Sequence, residues 1–245
     1  MIELLIVLFL TPLFFGLSDT MRSLCSGCGF TNPLSPYINL FLDLRENNFC
    51  IDRLNPFAAI SLGSVIISAF ILFNISINLD FLIFACLMLL VCFCFNSFLN
   101  TDIRHEIVKI CTFVITMFAL YIYTNNPVFE TLHEIHGINQ FIPYILAVIF
   151  LLLSIYDNVS DLKNYCTVDR AFFNYSAMLS SVLFIAMFSL LFYSENLLIF
   201  SGLMVAGSLV SGVLKRILDR YSLVCNILLI LLSIVFTVLV IKTIH

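Results

Sequence analysis

Charged side chains are scarce in this sequence. Asp, Glu, Lys and Arg together make up 11% of the 245 residues, whereas hydrophobic residues make up 62%. A soluble domain typically has about 25% charged residues, so this composition excludes an ordinary water-soluble protein. The mean hydropathy of +1.11 agrees with that exclusion. We therefore expect a protein that resides in a lipid bilayer, and we expect no nucleic-acid partner.

The short alternating segments that a transmembrane barrel needs are also missing. Instead, apolar runs of about 17 residues or more recur, and each is long enough to cross the hydrocarbon core as a helix. The sequence therefore predicts an all-α polytopic membrane protein in which residues 1–245 form a single integral membrane domain. The eight predicted spans are residues 2–17, 56–74, 80–98, 107–124, 140–156, 171–193, 197–214 and 222–242.

The sequence also lacks the signs of a cleaved signal peptide, of inverted repeats and of charged residues within the spans. The N-terminus has no basic stretch and carries Glu3, which favours a retained first span over a cleaved signal peptide. The two halves of the chain do not look like inverted copies, which removes one cue for a secondary transporter. No charged residue falls near the middle of a predicted span, so no proton relay or ion site is indicated there.

The few cations are distributed unevenly between the two sides that the loops define. One side comprises 17–55, 99–106, 157–170 and 215–221, and it holds Arg22, Arg45, Arg53, Arg104, Lys163, Arg170, Lys215, Arg216 and Arg220, with Lys109 just inside the adjoining span. The other side comprises the termini, 75–79, 125–139 and 194–196, and it holds only Lys242. Because cytoplasmic loops are enriched in Lys and Arg, we predict a multi-pass protein of the cell inner membrane with both termini outside.

Two small clusters of metal-ligand residue types occur, and neither is complete. Cys25 and Cys28 have the spacing of half a zinc site, but no further ligand set lies in their loop. His133 and His136 are three residues apart in a polar loop, which is not the spacing of a zinc-protease helix. We expect no metal site, and we expect no disulfide framework among the nine cysteines.

The long loop 17–55 contains a predicted amphipathic segment. After Pro36, apolar residues occupy positions 37, 38, 40, 41, 42 and 44, whereas Asn39, Asp43 and Arg45 fall around the other side. This pattern predicts a short helix, with Pro36, Tyr37 and Arg45 as its marked positions, that lies flat at the membrane interface. It could pack under the bundle for structural reasons or contact a ligand, and both interpretations stay open.

Two other polar segments carry the candidate functional side chains. The segment 157–176 contains Asp157, Asp161 and Asp169 between two apolar runs, and the loop 99–106 contains Arg104 and Glu106. Such charges are typical of solvated loops and of the first turn of a helix. They could equally contact the charges of a partner protein.

Six motifs along the chain carry a family resemblance. They are LTPLFFGLSDTMRSL, PYINLFLDLRE, RLNPFAAISLGS, TDIRHE, DNVSDLKNYCTVDRAFFNYS and LKRILDRYSLVCNILLILLS. Their order resembles the membrane-anchor family that includes subunit 1 of respiratory complex I, subunit 4 of formate hydrogenlyase and the same subunit of energy-converting hydrogenases. The resemblance is closest to the hydrogenase branch and covers nearly the whole chain, by pattern and order rather than by dense identity.

The resemblance implies a function for these loops. In that family the subunit seats a soluble redox module on the membrane, a flat helix and an acidic loop border a cavity, and buried carboxylates begin a proton path. It implies that Asp157, Asp161, Asp169, Arg104 and Glu106 border the docked module, with other membrane and peripheral subunits as partners. No four-Cys or His/Cys set has cluster spacing, so we expect no redox cofactor bound by this chain.

The sequence departs from the family pattern at several of these positions. Ser35 replaces a Gln before Pro-Tyr, Val159 replaces a Pro after Asp-Asn, and Asn174 replaces a Glu before Tyr. Fewer carboxylates are therefore available for proton uptake than in the family pattern. The same departures weigh against the quinone contact that complex I makes in its cavity. Docking is expected to be kept and coupling weakened.

Two other functions are compatible with the same topology. A small polytopic transporter would have broken helices or a polar group at a central cavity, and Gly202, Gly207 and Gly212 are its candidate positions, although small residues also let helices pack closely. A non-catalytic scaffold or assembly protein would share the topology and lack any functional carboxylate path.

Overall fold

The computed structural model describes residues 2–45, 55–74, 80–99, 103–124, 141–155, 167–192 and 196–244. This part of the chain is helical and contains no strand, which confirms the predicted all-α class. The helices are α1 (Ile2–Ser26), α2 (Ser35–Arg45), α3 (Pro56–Asn74), α4 (Asp80–Leu99), α5 (Ile103–Thr124), α6 (Phe141–Leu153), α7 (Thr167–Leu191) and α8 (Leu197–Ile244).

Helix covers most of every predicted span, but the helices differ in length. Five stretches are long and apolar enough to cross a membrane, namely Ile2–Ser26, Pro56–Phe73, Val168–Leu191, Leu197–Ile217 and Leu223–Lys242. Shorter apolar helices cover Leu82–Phe95, Val108–Ile122 and Phe141–Leu153. The protein is therefore a helical membrane protein, and the predicted number of eight crossings stays a prediction.

Large apolar side chains on the outside of the bundle fit a lipid environment. Phe9, Phe93, Phe118 and Leu198 are all exposed, and so are many side chains along the second half of α8. A soluble protein rarely exposes contiguous apolar surface on this scale, whereas a lipid-facing helix requires it. Burial alone therefore does not identify the core of this protein.

Helix α1 continues nine residues beyond the predicted end of the first span. The segment between Leu17 and Ser26 contains neither Gly nor Pro, so nothing in it interrupts the helix. The helix ends where Gly27 adopts a positive φ of 75°. There the Gly27 N–H donates to the Leu24 carbonyl at 3.1 Å and the Cys28 N–H donates to the Ser23 carbonyl at 3.1 Å, which is the Schellman arrangement.

Residues 215–221 were predicted to be a loop between two spans, and the structure instead joins the candidate spans Leu197–Ile217 and Leu223–Lys242 by a kink in this segment. The kink lies at Tyr221, whose angles are non-helical, φ −135° and ψ 47°, so α8 consists of two helices that meet there. The stretch from residue 213 to residue 224 has no Gly or Pro, and charged side chains such as Lys215 and Arg216 have good helix propensity. The positive charges therefore marked the approach to a real break between two helices, but most of the predicted loop is helical.

Helix α7 lies at the centre of the fold. It packs against α1, α2, α3, α6 and α8, and it is the most deeply buried of the five candidate spans. Phenylalanine rings also connect α7 to α4 and α5. The ring centroids of Phe184 and Phe113 of α5 are 5.5 Å apart, and those of Phe173 and Phe95 of α4 are 5.7 Å apart. Offset and edge-on ring pairs of this kind add specific packing to simple burial.

Two glycines allow backbones to approach closely around α1. A Cβ atom at Gly212 of α8 would lie 2.2 Å from the Ser18 carbonyl oxygen, and one at Gly16 would lie 1.9 Å from the Pro33 carbonyl oxygen. Neither position therefore has room for a larger residue. These contacts are the small-residue packing that brings membrane helices together, and they bring α8 and the segment before α2 against α1.

Candidate functional site

The start of α7 is joined to α2 by an ion pair. Arg170 donates from Nε to Asp43 Oδ1 at 2.9 Å, and its Nη2 donates to the same oxygen. Asp43 is only 7% exposed, so most of its solvation is replaced by this guanidinium. Hydrogen bonds between ionised groups are stronger than neutral ones, and this one holds α2 against the bundle.

The preceding residue joins α7 to α3. Asp169, 5% exposed, accepts the backbone N–H of Asn55 at 2.9 Å. Asn55 in turn caps α3, because its side-chain oxygen accepts the Phe57 N–H at 2.9 Å. A carboxylate in the first turn of α7 also suits the positive end of the helix dipole. Adjacent residues of α7 thus position two other elements.

Two tyrosines attach α2 and α7 to the backbone of α1. Tyr175 donates its hydroxyl to the Leu8 carbonyl at 2.6 Å, and Tyr37 donates to the Phe9 carbonyl. The Leu8 carbonyl is available because its helical partner would be the N–H of residue 12, which is Pro12. Burial raises the pKa of the Tyr37 phenol, so that group stays protonated and able to donate.

Helix α2 buries Pro36 and Asp43 and presents several apolar side chains outward. We call Ile38, Phe41, Leu42 and Leu44 the α2 outer face, and all four are exposed, Phe41 to 64%. The helix has 11 residues and is too short to cross a membrane. Its fixed apolar face must therefore contact the interfacial region of the lipid or another protein.

The three marked positions of the predicted interfacial helix differ in how far the structure buries them. A helix over residues 35–45 is confirmed. Pro36 is buried and Tyr37 is half-buried against the bundle, whereas Arg45 is exposed at the end of the helix. The prediction grouped Asn39, Asp43 and Arg45 on one side of the helix, but the structure buries Asp43 together with Pro36 and leaves Asn39 and Arg45 exposed.

The charged candidates are only partly described. Asp169 has the structural contact given above, and a role for it in docking stays a prediction. Arg104 and Glu106 lie in the first turn of α5, with side chains outside the described part. Asp157 and Asp161 also lie outside the described residues, so their proximity to the site stays a prediction.

Cofactor ligands can be assessed only within the described ranges. No group of three or more His, Cys, Asp or Glu side chains in these ranges could hold a metal ion. Cys25 and Cys28 are free and exposed at the end of α1. His133 and His136 lie outside the described residues.

Sequence reasoning missed the environment of Lys109. The spacing put this residue at the edge of its span, but the structure buries it to 2% exposure with Nζ 5.2 Å from the centroid of the Phe184 ring. Phe184 lies past the midpoint of the candidate span Val168–Leu191. A lysine inside an apolar run was the available signal, because ionisable groups at such positions face the bundle interior.

No family model and no curated protein matches the chain. The geometry therefore has to support the function by itself. It fixes α2 through Asp43 and Tyr37, and it fixes the start of α3 through Asp169. Within the described residues, this arrangement leaves the α2 outer face and Arg45 exposed.

Proposed function

We propose that this protein is the membrane-anchor subunit of a hydrogenase-like or complex I-like respiratory assembly. In this proposal it crosses the inner membrane eight times, keeps both termini outside, and seats a soluble redox module on the cytoplasmic face. The observation that carries the proposal is the α2 outer face, an apolar surface on a helix too short to span the bilayer, fixed to the bundle by the Asp43–Arg170 ion pair.

The rigidity of α2 supports a docking role. Partner binding costs less conformational entropy when the contacting element is already ordered. Hydrogen bonds at Tyr37 and at Asp43 order α2 from both ends. Exposed aromatic residues such as Phe41 are common among the side chains that dominate interface energies.

The proposal places the charged candidates around this face. Asp157, Asp161 and Asp169, with Arg104 and Glu106, would border the docked module and contribute to proton translocation. The electron carriers would belong to the module, and this chain would bind no cofactor of its own. Its partners would be the peripheral and membrane subunits of the assembly and the surrounding lipid.

Co-purification with matched variants tests the docking role. The tagged chain would be extracted from its native membrane in mild detergent, and bound proteins would be identified by mass spectrometry with iron content and electron paramagnetic resonance. We expect iron–sulfur and hydrogenase-type proteins in stoichiometric amounts. Phe41→Ser should remove them and Phe118→Ser should not, because both rings are equally exposed, 64% and 63%, but Phe118 lies on α5.

Two results would overturn the proposal. One is a chain that purifies alone, without iron, from gently solubilised membranes. The other is a module that is retained or lost equally in the two Phe variants. A scaffold without a carboxylate path would show a third behaviour, in which the module is retained and Asp157→Asn leaves electron transfer and proton movement unchanged.

A second candidate, a small transporter, is favoured by one observation, the buried Lys109. Intramembrane ionisable groups often line ion or substrate paths. Of its other candidate positions, Gly207 and Gly212 pack against Ile185 and Ser18, while Gly202 has open space, so the first two glycines favour helix packing. Proton flux into liposomes that contain this chain alone, and its loss in Lys109→Met, would favour the transporter over the anchor.

A further inference from the structure

A polar cleft opens where the ends of α1 and of the first half of α8 meet. This open cleft has a volume of about 360 Å³ and is lined by Asp19, Arg22, Ser23, Ser26, Cys28 and Arg216. Arg22 comes from the last turns of α1 and Arg216 from the end of the candidate span Leu197–Ile217. Two arginines from different helices thus line the same cleft.

The net charge of the cleft is positive. Asp19 is the carboxylate among the residues that line the cleft. It forms an ion pair with Lys215, whose Nζ lies 3.9 Å from Asp19 Oδ1 and 4.1 Å from the centroid of the Phe15 ring. The end of α1 adds roughly half a negative charge from its helix dipole. Arg22 and Arg216 add two full positive charges, so they outweigh the dipole.

Two arginines that line one cleft suit a phosphate ligand. Guanidinium groups pair with phosphate oxygens in a bidentate geometry. A phosphate group in the cleft could accept hydrogen bonds from both Arg22 and Arg216.

We propose that this cleft binds the phosphate headgroup of an anionic phospholipid, with Arg22 and Arg216 as the binding residues. The cleft lies at the ends of two candidate spans, which is the depth at which lipid headgroups occur. Basic pockets between membrane helices are a general way to bind such lipids. The proposal is independent of the docking function, because it uses neither α2 nor the start of α7.

Lipid retention by the purified chain tests the proposal. The full chain would be reconstituted into phosphatidylcholine nanodiscs with or without phosphatidylglycerol, re-extracted in detergent, and its bound lipid measured by mass spectrometry. We expect preferential retention of phosphatidylglycerol, reduced about fivefold for each arginine replaced. The variants are Arg216→Gln alone and Arg22→Gln/Arg216→Gln, and the control is Lys242→Gln, which removes an exposed cation elsewhere.

Alkylation of Cys28 gives a second readout that does not depend on the variants. Cys28 lines the cleft, whereas Cys25 is exposed on the same helix end and outside the lining. Phosphatidylglycerol should slow maleimide labelling of Cys28 and leave Cys25 unchanged. The same labelling is measured with inorganic phosphate at millimolar concentration in place of phosphatidylglycerol.

Each outcome has a definite meaning. Protection by phosphatidylglycerol and not by inorganic phosphate supports a lipid site. Equal protection by phosphate would show a free-anion site and overturn the lipid assignment. Retention that is unchanged in Arg216→Gln and in the double variant, with labelling of Cys28 unaffected by any lipid, would overturn the site altogether.

Discussion

The hydroxyl of Tyr175 in α7 donates to the carbonyl of Leu8 in α1, with 2.6 Å between the two oxygens. In an uninterrupted helix that carbonyl would accept the N–H of residue 12, but residue 12 is a proline. A break in the hydrogen bonding of one helix is thus filled by a side chain of another. The same surface of α1 receives Tyr37 one residue further on.

This relationship predicts a conditional effect of removing the Tyr175 hydroxyl. Tyr175→Phe should reduce the unfolding free energy by about 1–3 kcal/mol, because it leaves a buried carbonyl without a donor. In a Pro12→Ala background, where residue 12 again has an N–H, the same substitution should cost less than half as much. Thermal unfolding in micelles, followed by helical circular dichroism, measures both. Equal costs in the two backgrounds would contradict the explanation, and Tyr144→Phe is the exposed control.

The Asp43–Arg170 ion pair predicts local loosening when either charge is removed. Asp43→Asn or Arg170→Met should cost about 1.5–3 kcal/mol, the range for hydrogen bonds to charged groups. Hydrogen exchange should accelerate in peptides from residues 35–45 and stay unchanged in the second half of α8. The exchanged pair Asp43→Arg/Arg170→Asp should recover part of the protection. Uniform acceleration along the whole chain would show global destabilisation and refute a specific role in holding α2.

Two glycines of α8 should respond oppositely to the same substitution. Gly212→Ala should destabilise the protein, since the new Cβ would lie 2.2 Å from the Ser18 carbonyl oxygen. A Cβ at Gly202 would meet no other atom within 4 Å, so Gly202→Ala should be neutral or stabilising by up to about 1 kcal/mol through higher helix propensity. Thermal unfolding of both variants is the measurement. Similar effects at the two positions would contradict the close approach of α1 and α8.

The raised pKa of Tyr37 predicts a pH-dependent contribution to stability. The folded protein holds the phenolic proton more tightly than the unfolded chain, so the unfolded chain loses it first, near pH 10. The stability that Tyr37 contributes should therefore be complete below about pH 10 and decline as the pH rises through the folded-state value. The difference in unfolding free energy between wild type and Tyr37→Phe, measured from pH 8 upward, tests this. A difference that grows above pH 10 would have the wrong sign.

Apolar run length was sufficient to predict the helical class and most helix positions. A continuous apolar run must satisfy its backbone internally, so it forms a helix, and α3 begins at the predicted Pro56 because Asn55 caps it. Helix ends were harder to predict, because hydropathy reports where polar residues begin and not where the helix stops. Ser26 and Tyr221 illustrate the difference, since both helices continue through polar residues until a backbone feature interrupts them.

The tertiary contacts of the site were beyond the sequence pattern. The amphipathic pattern of α2 predicted a helix there, but nothing in the spacing showed that Asp43 would be buried or identified Arg170 as its partner 127 positions away. Likewise, Pro12 showed that one carbonyl would lack a donor, but it did not show that Tyr175 would supply one. Such contacts depend on how helices are placed beside each other, which one sequence does not specify by its periodicity.

The most direct measurement of the central claim is the side of the membrane on which residues 157–170 lie. Reporters that are active only in the cytoplasm would be inserted in this segment and, for comparison, in 125–139. The account predicts activity in the first segment and none in the second. Activity in 125–139 and none in 157–170 would place the aspartates outside the cell, remove the docking surface, and contradict the account.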